Sequence, residues 1–102
     1  MGRTEGTPEN GLLTAGEIAA YLLDNCRSLR QFDVYMFGST LNGIGEDIDI
    51  LVVGIGDSFC QVKQELRAAG ERLPLHILYM QLSEARYTDF VRREGCMPLD
   101  QL

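Results

Sequence analysis

From Thr14 onward the apolar residues follow two different periods. Ile18, Leu22, Cys26 and Leu29 return at the three-to-four spacing of one face of an α-helix. Thr14 with Glu17 three positions later is a capping box, so a helix is predicted over 15–29. In DVYMF, Asp33 to Phe37, β-branched and aromatic residues run up to Gly38 and predict a strand. TLNGIGE, with two glycines and an Asn-Gly pair, predicts a tight turn. A second strand is predicted from Asp47 to Val53, ended by Gly54 and Gly56.

The helical period returns with Phe59, Val62, Leu66 and Ala69, after Asp57 or Ser58 as the cap and before Gly70 and Pro74 as terminators. LHILYM, Leu75 to Met80, is a nearly continuous apolar run and predicts a buried third strand. Ser83 is the expected cap of a last helix that stops at Gly95, with Leu82 and Tyr87 as a hydrophobic staple. A short glycine-containing link between the first two strands predicts an antiparallel pair. A helix between the second and third predicts a right-handed parallel crossover. The expected fold class is α+β, an α/β layer: a small mixed β-sheet of three or more strands with helices packed against it. Residues 1–13, polar and without an apolar core, are expected to be a flexible lead-in rather than a secretory signal. Residues 14–102 are expected to form one domain.

Composition narrows the class of partner. The 102 residues are 45% hydrophobic and 24% charged, an ordinary globular balance with room for one modest core. No apolar run approaches the roughly 20 residues of a membrane-spanning helix, so no membrane partner is expected. A net charge of -6 argues against free nucleic acid, which calls for a surplus of Lys and Arg. A local basic patch is left at Arg86, Arg92 and Arg93. Cys26, Cys60 and Cys96 are odd in number and lack metal-ligand spacing, which reads as reduced thiols in a cytoplasmic protein. Cys26 and Cys60 fall within helical patterns and are expected to pack in the core.

The unusual feature is FGSTLNGIGEDIDILVV, Phe37 to Val53, which sets Asp47 and Asp49 into an apolar strand. Residues two apart on a strand share a face, with Cα atoms about 6.5 Å apart. Two carboxylates so placed raise each other's pKa unless a cation neutralises them. Magnesium accepts a few carboxylates and fills its other positions with water and phosphate oxygens, so Asp47 and Asp49 are candidate metal ligands. Upstream, glycine at 38 lets a backbone approach a ligand, and Ser39 and Thr40 offer hydroxyls and N–H groups to a phosphate. Phosphoryl and nucleotidyl transfer rest on this kind of positioning and charge neutralisation. Acidic residues at a solvated strand start, and ordinary turn chemistry at Thr40 and Asn42, are the plainer readings. Glu46 is read as a solvated turn residue.

The pattern YMFGSTLNGIGEDIDILVV resembles the signature of the DNA polymerase beta-like nucleotidyltransferase superfamily, in its minimal single-domain branch. That signature is an apolar-Gly-Ser, a loop, then an Asp-apolar-Asp strand. The element order agrees from about Thr14 to the end. The resemblance implies binding of a nucleoside triphosphate, ATP first among them, with Mg2+ or Mn2+. It also implies transfer of a nucleoside monophosphate to an acceptor hydroxyl. Relatives of this minimal type often modify a protein encoded alongside them, as in toxin–antitoxin pairs, so a protein partner is expected. The nucleotide-binding residues it implies are Gly38, Ser39 and Thr40, and the catalytic ones Asp47 and Asp49.

The chain departs from that signature at one place. The superfamily places a third carboxylate on the later strand, and the matching position here is His76; no Asp or Glu lies between Glu71 and Glu84. A neutral imidazole is a poor ligand for magnesium but acceptable to manganese or zinc. It can also act as a general base, which makes His76 the third catalytic candidate. Two functions therefore stay open: a transferase, or a catalytically weakened nucleotide-binding or partner-docking module. A third reading takes the acidic pair as decoration on a small α/β domain.

Overall fold

The computed structural model describes residues 14–38, 41, 47–55 and 58–102. Among these, four α-helices and a four-stranded mixed sheet form an α+β fold. The elements are α1 (Ala15–Asn25), β1 (Asp33–Phe37), β2 (Ile48–Gly54), α2 (Cys60–Ala69), β3 (Leu75–Gln81), α3 (Leu82–Thr88), α4 (Phe90–Arg93) and β4 (Met97–Pro98). The sheet order is β3-β2-β1-β4. β1 pairs antiparallel with β2 and with β4, and β2 pairs parallel with β3, as the connections predict.

β2 is central, and its alternation builds two cores. Ile48, Ile50 and Val52 face a main core that they share with Ile18 and Leu22 of α1, with Leu29, and with Val62 and Leu66 of α2. Leu51 and Val53 face a smaller core with Met80, Ala85 and Cys96, against which Phe37, Phe90 and Val91 pack. The polar Asp49, two residues before Leu51, is therefore on the second face, near the start of β2.

Several sequence expectations are corrected. The first helix ends at Asn25 rather than at 29, because Ser28 is drawn toward α2: its N–H and hydroxyl each donate to a Glu65 carboxylate oxygen at 2.9 Å. A 3-10 turn over Arg27–Gln31 still buries Leu29. Ser58 does not cap α2; its hydroxyl donates to the Ile55 carbonyl at 2.6 Å, and Phe59 occupies the cap without a side-chain bond. The other expected cap, Asp57, lies outside the described residues. β3 is an edge strand with alternating exposure, not a buried one. The single last helix is two short ones, broken at Asp89, whose φ of 55° is left-handed. Tyr87 is 92% exposed and forms no staple with Leu82.

The cysteines divide differently from expectation. Cys26 and Cys96 are buried, whereas Cys60 is exposed at the start of α2. Burial raises both inner thiols: Cys26 is pushed up by desolvation and then by the Glu65 carboxylate, and Cys96 to about 11 by desolvation and then Glu94. A thiol reacts as its thiolate, so protonated, covered groups are inert. One cysteine per chain should react with a thiol reagent in the native protein at pH 8, and three after denaturation. Two or more fast-reacting thiols in the folded protein would contradict this packing.

Candidate functional site

Three strands bring the site together in one row across the second face. Phe37 pairs with Asp49 from β1, and Asp49 pairs with His76 from β3. The parallel β2–β3 register thus fixes the imidazole beside the carboxylate, and His76 Nδ1 lies 3.3 Å from Asp49 Oδ1. The histidine side chain is 78% exposed and the aspartate 26%, so the carboxylate is sheltered and the imidazole open. The other wall is apolar: Phe37 packs edge-on against Phe90, ring centroids 5.2 Å apart.

Gly38 closes the row from the end of β1. Its φ of 80° is in the left-handed region that favours glycine. A Cβ built there would stand 2.5 Å from Asp49 Oδ2 and 3.4 Å from its carboxyl carbon. The backbone at Gly38 and the Asp49 carboxylate are therefore in intimate contact, and two separate physical reasons exclude a side chain. This joins two of the candidates from different strands, Gly38 and Asp49, at one point.

Asp47 is placed less tightly. β2 begins at Ile48, whose N–H donates to the Pro74 carbonyl at 2.9 Å, and Asp47 stands exposed at the bend before it. The strand's alternation therefore does not fix the Asp47 side chain as it fixes Asp49. Ser39, Thr40, Asn42 and Glu46 lie outside the described residues. Among the described residues, no three His, Cys, Asp or Glu side chains converge as a ready-made metal cluster.

The donor set still suits one kind of cation. A sheltered carboxylate at 49, a second carboxylate on the approach to the same strand, and open solvent beyond them make a partial oxygen site. Magnesium takes one or two carboxylates and completes its octahedron with waters and substrate phosphates. Asp49 and Asp47 would hold it, and His76, beside Asp49, would orient that carboxylate.

The basic residues expected to form a patch, Arg86, Arg92 and Arg93, are exposed, and two of them are engaged within their own segment. Arg92 Nη2 lies 2.5 Å from Asp89 Oδ2, and Arg93 donates to the Thr88 carbonyl at 3.0 Å. The Asp89 carboxylate, as hydrogen-bond acceptor and as neighbouring charge, raises the Arg92 guanidinium above its ordinary value. Among the described residues no helix is long and apolar enough to cross a membrane.

No protein-family model, curated protein or solved structure matches the chain.

Proposed function

We propose that the chain is nucleotidyltransferase-like, binding a nucleoside triphosphate with Mg2+ or Mn2+ at the row Gly38, Asp49, His76. The observation that carries this reading is the Asp49 carboxylate seated directly on the left-handed Gly38. A strand-end glycine that meets a sheltered carboxylate joins the place where a backbone can approach phosphate to the place where a cation can be held. The cation, when bound, offsets phosphate charge and polarises the α-phosphorus. Asp49 and Asp47 orient it. Ser39 and Thr40 follow Gly38 directly in the chain and supply the remaining phosphate contacts in this reading. ATP is the first triphosphate to test.

In the transfer reading, the acceptor is a hydroxyl on a partner protein. Its oxygen bonds to the α-phosphorus, the bond from that phosphorus to the β-phosphate bridging oxygen breaks, and pyrophosphate leaves. The hydroxyl proton passes to His76, which is open to solvent and next to the metal-holding carboxylate. General-base assistance of this sort contributes about 10²- to 10⁴-fold. The net charge of -6 favours a protein acceptor over free RNA.

A specific observation supports the second reading, a binding module with weakened chemistry. His76 occupies the register position beside Asp49 where a third carboxylate would complete the metal set. Incubation with α-labelled ATP, Mg2+ or Mn2+ and the proteins that co-purify with the chain separates the two. The transferase reading expects label on a partner, lost in His76→Ala. The binding-module reading expects triphosphate binding without label transfer, and a gain of transfer in His76→Asp. Neither binding nor transfer, with any metal, would remove both.

A further inference from the structure

β3 ends the described sheet, with no strand paired on its outer side among the described residues. Such an edge directs alternate N–H and C=O groups outward, ready to pair with another strand. Edge strands usually carry Lys, another charge or Pro that discourages this. LHILYMQ carries none of them; its only titratable side chains are His76 and Tyr79. Seven residues is also long for an edge, and Leu78 is 37% exposed in the middle of it.

On the face toward α2, the edge borders a groove of about 410 Å³ lined by Leu75, Ile77 and Tyr79, with Lys63, Arg67 and Glu71 above them. The charges are ordered along it. Lys63 Nζ sits 5.0 Å over the Tyr79 ring, toward the end of β3. Glu71 follows α2 and lies beside the start of β3, and Arg67 is between them.

We propose that β3 pairs antiparallel with β3 of a second copy of this chain, about a two-fold axis at Ile77. This pairing places Leu75 opposite Tyr79 of the second copy, Ile77 opposite Ile77, and Tyr79 opposite Leu75. The three apolar groove residues thus cover one another. Because partners in this register are of the same parity, outward-directed backbone groups meet outward-directed ones, apart from the Leu75 N–H, which donates to the Leu73 carbonyl at 2.8 Å, and each face of the sheet continues across the axis. Lys63 comes to the level of Glu71 of the second copy, twice by symmetry. Arg67 falls at the axis, opposite its own counterpart, and opposes association. On the other face, Leu78 of one copy comes beside His76 of its partner, so the interface runs up to the edge of the Asp49–His76 row. The proposal does not depend on what that row binds.

Sedimentation equilibrium of the full chain tests it, with a set of variants whose effects differ in sign. The wild type should be a dimer. Leu78→Lys should make it monomeric. Lys63→Glu or Glu71→Lys alone should raise the dimer Kd by about tenfold, two exposed ion pairs being replaced by repulsions. The exchanged pair Lys63→Glu/Glu71→Lys should restore the dimer, and Arg67→Gln should tighten it. Lys63, Glu71 and Arg67 are exposed, so these variants read the interface even where Leu78→Lys folds poorly. A chain that stays monomeric at its highest soluble concentration would overturn the proposal, whatever else covers the edge. A dimer indifferent to the Lys63 and Glu71 exchanges would do so as well, since it would use another face.

Discussion

Replacing Asp47 and Asp49 together with Asn should abolish metal-dependent binding of nucleoside triphosphates while leaving the fold intact. The two effects separate because the substitutions conserve shape. Asn at 49 still fits against Gly38, and what the fold loses there is a 3.3 Å contact to an imidazole that is 78% exposed. Such contacts contribute at most about 1 kcal/mol. Asp47 lies at an exposed bend, and Asn there keeps the side chain's shape and one of its acceptor oxygens. Binding is different. Two neutral amides cannot offset the charge of a magnesium ion, and without the cation the triphosphate faces a chain that is still net negative after the loss of two of its 15 carboxylates against 9 Lys and Arg. Titration calorimetry with Mg-ATP should show Kd raised by at least about 100-fold, which corresponds to about 2.7 kcal/mol. Denaturant unfolding of the same variant should have nearly the wild-type midpoint. Equal binding by wild type and variant would mean that the acidic strand only decorates the domain.

Gly38→Ala should harm both stability and binding, and the binding loss should be the larger. A non-glycine residue in the left-handed region costs about 1–2 kcal/mol. For a domain of this size that lowers the melting temperature by roughly 4–8 °C for each kcal/mol. The added Cβ must also displace the Asp49 carboxylate, whose Oδ2 it would meet at 2.5 Å. The displacement is passed to whatever Asp49 holds. Misplacement of a catalytic group by about 1 Å can cost about 100-fold in rate. Thermal melting and Mg-ATP titration of one variant therefore give a paired readout. A lower melting temperature with unchanged affinity would place the phosphate site away from Gly38.

Much of this architecture was legible because the chain states it locally. The capping box formed as read, with the Thr14 hydroxyl accepting from the Glu17 N–H at 3.1 Å and Glu17 accepting from the Thr14 N–H at 2.9 Å. β1 has the predicted bounds, since Asp33 to Phe37 alternates cleanly between exposed and covered positions. What the sequence concealed was set by contacts distant along the chain. Nothing near Ser28 announces that Glu65, far along the chain, will end α1 early. The run LHILYM reads as buried because its apolar residues are continuous, yet among the described residues β3 has a neighbour on one side only. β4 is two residues long, too short for any period, and exists because Tyr35 and Met36 pair with Pro98 and Met97.

The site was legible in part for the same reason. The motif named Gly38 and Asp49, but their contact depends on the antiparallel return of β2 on β1, which only the register supplies. His76 was singled out for what was missing at its position. Its place beside Asp49 follows from parallel pairing across α2, a relation between residues 27 positions apart that no local pattern encodes.

The most direct test of the central claim is a nitrogen–proton correlation spectrum of the isotopically labelled chain, followed as Mg-ATP is added. Saturable, magnesium-dependent shifts are expected, centred on the amides of Gly38, Asp47 to Ile50 and His76. These shifts should vanish in the Asp47→Asn/Asp49→Asn variant. Shifts that are absent, or that fall elsewhere on the chain and survive the double substitution, would contradict the claim.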